Sequence, residues 1–158
     1  MLLGKSTALM VELLAAVEER PRFCAYDRFD ALPLPEAHDP EMRGYLEAAA
    51  RRPHGRYQAV REMLGDGLAL VDVFPMDSLT AAATHPLGSA SFVFLDDNHE
   101  TDHVRAELAA WWPVVRQGGV LAGHDYDWPS VRAAVDPWAA ALGVDVAAVG
   151  RAWVVRKA

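Results

Sequence analysis

The chain is poor in cysteine, poor in lysine and free of long apolar runs. Cys24 is the only cysteine among 158 residues, which excludes an internal disulfide and a cysteine-built zinc site. Lysine occurs twice, against 13 arginines and 28 alanines, a bias common in GC-rich bacterial genomes. No apolar stretch reaches the roughly 18 residues of a membrane span. The N-terminus lacks the basic start, apolar stretch and cleavage site of a signal peptide, so a cytoplasmic protein is expected. Positive charge is in deficit too: 15 Lys and Arg face 22 Asp and Glu, for a net charge of −7. An acidic surface repels phosphate backbones, which argues against nucleic-acid binding. No repeat or low-complexity linker is present, and 10 Pro with 11 Gly would interrupt a long heptad run.

What remains is an ordinary globular composition, 52% hydrophobic and 23% charged, too apolar for a disordered chain. The length predicts a single domain over 1–158, burying about two thirds of its unfolded surface. Helical and strand patterns alternate, which predicts an α/β fold with a mostly parallel sheet and a closing antiparallel hairpin. Residues 6–18 read as a helix with Leu9, Met10, Leu13, Leu14 and Val17 on one face. Arg22 to Tyr26 is a short strand ending at Asp27, and Phe29 to His38 reads as loop. Asp39-Pro40 then opens a helix with the stripe Met42, Tyr45, Leu46 and Ala49. A further helix spans Arg56 to Leu64, and Leu68 to Phe74 is a β-rich run. Ser78 caps a short helix that stops near Pro86, and Ser91 to Leu95 is the most strand-like segment. Val104, Leu108, Trp111, Trp112 and Val115 recur at helical spacing until Pro113 ends or kinks the helix. Gly118-Gly119 reads as a turn, and Val120 to Ala122 as a strand. Val131, Ala134, Val135, Trp138 and Leu142 mark another helix. A hairpin closes the chain, with Val144 to Val149 and Ala152 to Arg156 joined at Gly150-Arg151.

Open α/β sheets bind ligands beyond the carboxyl ends of their strands. Four strand ends here carry acid: Asp27, Asp77 shortly after its strand, Asp96-Asp97 and Asp125. Gly4-Lys5-Ser6-Thr7 before a helix looks like the end of a phosphate-binding loop, which makes a nucleotide hydrolase one alternative reading, beside a non-catalytic remnant or partner subunit. That motif needs a preceding strand and an earlier glycine, and only Met1-Leu2-Leu3 stand before Gly4.

The stretch FLDDNHETDHVRAELAAWWPVVRQGGVLAGHDYDWPSVRAAVDPW resembles the class I S-adenosylmethionine-dependent methyltransferases. The nearest group is the small-molecule O-methyltransferases akin to the macrocin type. There, a strand ending in Ile-Asp or Leu-Asp leads to a His and a helix ending in Trp-Trp-Pro. A Gly-Gly turn and a strand ending in Gly-His-Asp-Tyr follow. The likeness runs from Gly4 to about Leu142 and is strongest over residues 92 to 138.

That resemblance implies a Rossmann-like methyltransferase sheet, S-adenosylmethionine as cofactor and a small-molecule acceptor. Gly4, Ser6 and Thr7 match the end of the glycine-rich loop around the methionine part of the cofactor. Asp27 matches the acid that accepts hydrogen bonds from the ribose hydroxyls, and Asp77-Ser78 the polar pair beside the adenine. Asp96 matches the acid after the fourth strand, near the reacting methyl group. In metal-dependent relatives that acid and two residues after the fifth strand bind Mg²⁺, which here are His124 and Asp125. His99, three residues after Asp96, is the candidate catalytic base; its alternative is a helix-start residue with a local hydrogen bond. Tyr126 and Trp128 either wall the substrate pocket or pack over the sheet end. His103 reads as a surface or packing residue, Trp111-Trp112 as core, and Cys24 as a buried strand residue.

The sequence departs from the family at its start. The family's first strand, between its second and fourth, and the first glycines of its loop have no counterpart before Gly4. That predicts two interior strand edges without a partner. A misassigned start, a fragment, or a strand supplied by another copy or chain each account for this. An open edge favours both a homo-oligomer and aggregation.

Overall fold

The computed structural model describes residues 5–16, 18, 21–29, 44, 47 and 55–158. Gly4, Val17, most of the expected 29–38 loop and the helix expected after Asp39-Pro40 lie outside the described residues. The chain clusters into two compact units, Met1–Asp77 and Ser78–Ala158.

In the first unit, helix α1 (Lys5–Ala15) precedes strand β1 (Phe23–Asp27). Helix α2 (Gly55–Leu64), a 3-10 turn (Gly65–Ala69) and strand β2 (Val71–Pro75) follow. β1 and β2 pair in parallel, from Phe23 opposite Val71 to Asp27 opposite Pro75. Their core is Val11, Ala25, Val60, Leu64, Val71 and Val73. The expected stripe of α1 is corrected here. Thr7 and Val11 face inward, whereas Leu9 and Leu13 are 58% and 63% exposed. The reason is Gly67: a Cβ there would lie 2.8 Å from Val11 Cγ1, so α1 sits directly on the bare backbone of the 3-10 turn. β2 also starts later than the Leu68 expected, because Gly65, at φ 49°, bends the chain into that turn. Cys24 lies on β1, half-buried.

In the second unit, α3 (Ser78–Thr84), β3 (Ala90–Leu95), α4 (Thr101–Trp111), β4 (Val115–Gly123) and α5 (Pro129–Leu142) alternate. The hairpin β5 (Ala147–Val149) and β6 (Ala152–Arg156) closes it. The sheet runs β3-β4-β6-β5, parallel between β3 and β4 and antiparallel after that. Among the described residues, β1 and β3 each have a hydrogen-bonded strand on one side only.

Two sequence expectations change in this unit. Val115 belongs to β4 and not to the preceding helix, and the Gly118-Gly119 turn is a bulge within that strand. The register jumps from Ala90 opposite Val115 to Phe92 opposite Val120. Gly118, at φ 71°, makes the bulge, and its N–H and the Gly119 carbonyl pair with Lys157 at 2.8 and 2.9 Å. Helix α5 continues through Pro137, which has no N–H for the Ala133 carbonyl. Arg105 Nη2 donates to that carbonyl instead, at 3.4 Å.

The core of this unit holds Leu108, Leu121, Val135, Trp153 and Val155, each at most 1% exposed. Trp111 is buried as expected, and Trp112 packs edge-on against Trp138 at 5.2 Å between centroids. No helix among the described residues is long and apolar enough to cross a membrane.

Gly123 fixes the end of β4. Opposite it in the ladder is Trp153, whose ring atoms lie 2.6 Å from where a Cβ would stand. Gly123→Ala is therefore expected to lower unfolding stability by about 1–3 kcal/mol through overpacking. Urea titration followed by tryptophan fluorescence checks this; an unchanged midpoint would mean that Trp153 moves aside without cost.

Candidate active site

β3 and β4 are parallel neighbours, so the loops that follow them leave at the same end of the sheet. The first carries Asp96, Asp97, Asn98 and His99, and the second carries His124 and Asp125. The His124 N–H continues the ladder onto the Leu95 carbonyl at 3.0 Å, which locks the two loop starts together. Between them is a cleft of about 20 Å³, lined on its polar side by Asp96, Asp97, His99, Glu107 and His124. That is room for roughly one water-sized species.

Asp125 is the centre of this arrangement. It is 7% exposed and adopts φ 53°, a backbone state rare outside glycine but open to Asp. His99 Nε2 lies 2.5 Å from Oδ2, and His124 Nδ1 lies 3.1 Å from Oδ1. Arg151 Nη2 also donates to Oδ1. Burial pushes the Asp125 carboxyl up, but the hydrogen bond and charge of His124, followed by those of His99, outweigh it and hold the pKa below the usual carboxylate range. An ionised Asp125 can only accept, so Nε2 is the His99 nitrogen that donates in this contact. The Trp128 ring packs on the His99 ring at 4.7 Å between centroids while remaining 45% exposed. Tyr126 is differently placed: its hydroxyl donates to Asp136 at 2.6 Å, a bond that raises its pKa and ties the side chain to α5.

Asp96, His124 and Asp125 bring one ligand atom each within 4.8 Å of one another. The donor set suits Mg²⁺ poorly. A hard cation prefers oxygen, His124 offers nitrogen, and both Asp125 oxygens already accept from His99, His124 and Arg151.

Ser78 turns inward. Its hydroxyl donates to Glu107 Oε1 at 2.5 Å and accepts from Trp111 Nε1 at 3.0 Å. The expected helix cap at Ser78 thus gives way to a buried side-chain chain. Glu107 is 2% exposed, and its other oxygen faces His103 Nε2 at 3.9 Å. His103 is half-buried, also 3.1 Å from Asp97. The sequence carries a signal for Glu107: it falls at the spacing of Val104, Leu108 and Trp111, a charged residue inside a buried stripe.

In the first unit, Asp27 ends β1 as expected. Its Oδ1 accepts the Phe29 N–H at 2.6 Å and its Oδ2 accepts Arg56 Nη2 at 3.1 Å. Arg56, only 7% exposed, was not legible as a partner in the sequence. Ser6 and Thr7 lie in the first turn of α1, Ser6 exposed and Thr7 buried. Asp77 follows β2 directly after Met76, whose N–H reaches the Asp27 carbonyl at 3.0 Å.

A family profile described as a methyltransferase domain matches residues 1–126. Solved structures share the fold. A protein from Corynebacterium glutamicum is 16% identical, with a TM-score of 0.60, covering 98% of this chain and 81% of that one. The O-methyltransferase NovP is 20% identical, with a TM-score of 0.68, covering 99% and 69%. CalS11, a TDP-rhamnose 3'-O-methyltransferase, is 15% identical, with a TM-score of 0.66, covering 98% and 68%. No curated protein matches the chain.

The lowered pKa of Asp125 fixes a sign. A depressed carboxyl stabilises the fold above its unfolded value, near 3.8, and loses that contribution as pH falls through the folded value. Asp125→Asn is therefore expected to be destabilised at pH 7, with the difference from wild type shrinking in acid. Urea midpoints at pH 7 and pH 3 (about one unit below the free carboxyl) read this directly. A difference constant with pH would show that Asp125 titrates normally.

Proposed function

The chain belongs to the methyltransferase-domain family, and from that premise we propose that it moves a methyl group from S-adenosylmethionine to a hydroxyl of a small molecule. The observation that carries the hydroxyl reading is the 2.5 Å contact between His99, which lines the cleft, and the buried Asp125. It is the arrangement of a general base with its orienting carboxylate. The family profile runs through Gly4-Lys5-Ser6-Thr7, which favours that stretch as part of a cofactor loop; nothing supports the nucleotide-hydrolase alternative.

The donor supplies an electrophilic methyl group on a sulfonium, so the protein's tasks are alignment and proton removal. Asp27, held at its strand end by Phe29 N–H and Arg56, suits the ribose hydroxyls because a carboxylate accepts both protons. Gly4, Ser6, Thr7, Asp77 and Ser78 are the further cofactor contacts of this reading, Ser78 through its backbone because its hydroxyl serves Glu107. Asp96 lies in the cleft beside His99 and His124. His99 takes the hydroxyl proton at Nδ1 as the oxygen–carbon bond forms and the methyl–sulfur bond breaks, its electron pair staying on sulfur, and Asp125 stabilises the imidazolium that results. The half-exposed Trp128 indole offers a flat apolar surface beside the base for the acceptor.

The solved structures NovP and CalS11 are named as O-methyltransferases, and a sugar or secondary-metabolite hydroxyl is the acceptor class we favour. Neither nucleic acid nor membrane is a partner in this reading. A homo-oligomer formed through an open strand edge is the assembly it allows. A bacterial source and a cytoplasmic location complete it, on the composition and the lone Cys24. Mg²⁺ is not required: binding it through Asp96, His124 and Asp125 would displace the donors that Asp125 holds.

His99→Ala is expected to lower turnover about 100-fold or more while leaving affinity for S-adenosylhomocysteine unchanged. Turnover is followed as release of S-adenosylhomocysteine against a panel of small hydroxyl acceptors. Wild-type turnover should be indifferent to a chelator; loss that Mg²⁺ restores would reinstate the metal. For the cofactor, Asp27→Ala should cut S-adenosylhomocysteine affinity more than about tenfold, consistent with the loss of charge-assisted hydrogen bonds. Unchanged affinity by calorimetry would remove the ribose assignment.

A further inference from the structure

Arg151 is bound into the site but has no part in the proton transfer described above. It sits in the turn between β5 and β6, 26 residues from Asp125 in sequence. Three of its groups fall on three consecutive residues of the loop after β4. Nη2 donates to Asp125 Oδ1, the Arg151 carbonyl accepts the Tyr126 N–H at 2.9 Å, and Nε donates to both oxygens of Asp127 at 3.1 Å. The loop so held is one the backbone would not adopt readily: Asp125 stands at φ 53°, and the turn closes with the Trp128 N–H on the Asp125 carbonyl at 2.9 Å. An isolated exposed ion pair would fix little. A planar guanidinium that spans two carboxylates while its own backbone pins the residue between them restricts the loop far more.

The division of labour at Asp125 follows. Arg151 and His124 take Oδ1, and His99 takes Oδ2. With Oδ1 anchored by a guanidinium that is itself anchored to Asp127, the carboxylate plane cannot rotate without breaking several bonds. Oδ2 is thereby kept on His99 Nε2. We infer that Arg151 is a positioning residue that acts through Asp125 to fix the tautomer and ring direction of His99. The inference rests on the reading of His99 as the base, and it deepens that reading by assigning a role to the C-terminal hairpin.

The test reads the His99 tautomer itself, by nitrogen NMR of the full chain carrying ¹⁵N-histidine. In the wild type, His99 is expected to show a protonated Nε2 and a bare Nδ1 with well-separated shifts. Arg151→Met should collapse that separation toward a tautomeric average, Arg151→Lys should restore it only in part, and Arg156→Met, an exposed charge loss on the same hairpin, should leave it unchanged. Affinity for S-adenosylhomocysteine should stay constant across all of these. If Arg151→Met fails to fold, Asp127→Asn removes half of the clamp while Asp125 keeps its donors, and a partial collapse is expected there. Wild-type shifts for His99 in folded Arg151→Met, or in Asp127→Asn where that variant must stand in, overturn the inference. Collapse of the tautomer together with a His99→Ala protein of full turnover would leave the clamp standing and remove the base.

Discussion

A buried carboxylate at the end of a parallel strand ties together the loops at one end of the second unit's sheet. Asp125 is removed from water and would be costly there alone, since an unpaired buried charge loses its hydration without compensation. It is tolerated because three nitrogen donors converge on it from three loops: His99 after β3, His124 after β4 and Arg151 in the β5–β6 turn. Satisfying that one charge therefore fixes three segments relative to one another. It also holds the His99 ring against Asp125, so the base proposed above stands on the same contacts that stabilise the loop.

The scaffold beneath supports this by close packing. Gly123 has no side chain, which lets Trp153 lie against the last residue of β4 and lets the hairpin reach the loop where Arg151 acts. On the other flank, Glu107 holds Ser78, and Ser78 holds the Trp111 indole. This chain of hydrogen bonds joins α3 to α4 and places a buried carboxylate along the cleft. A methyltransferase needs a fixed geometry more than it needs bond-breaking power, because its donor is already activated. The rigidity of this end of the sheet meets that need.

Much of this was legible in the sequence because it is local. The strand ending in Leu95-Asp96, the helix with Val104, Leu108 and Trp111, and the closing hairpin follow from period and punctuation alone. The ordered series from Phe92 to Trp138 pointed to the methyltransferase family. What the sequence hid depends on non-local partners. Leu9 and Leu13 looked like core because they are large, but Gly67 admits Val11 and turns them outward. Gly118-Gly119 looked like a turn, but Lys157, from the far end of the chain, pairs with it and keeps the strand continuous. Arg56 and Arg151 carry no sequence signal, since each meets its carboxylate across 26 or more residues. Asp125 is marked as a metal ligand by family likeness alone; its nitrogen partners His99, His124 and Arg151 come from three separate loops and leave no local signal.

Whether this chain holds a methyl donor is read by calorimetric titration of the purified 158-residue protein with S-adenosylhomocysteine. ATP with Mg²⁺ serves as the parallel control. Saturable binding of S-adenosylhomocysteine is expected, with a Kd on the order of micromolar, worth roughly 8 kcal/mol, and no heat from the nucleotide. Binding of ATP with none of S-adenosylhomocysteine would contradict it.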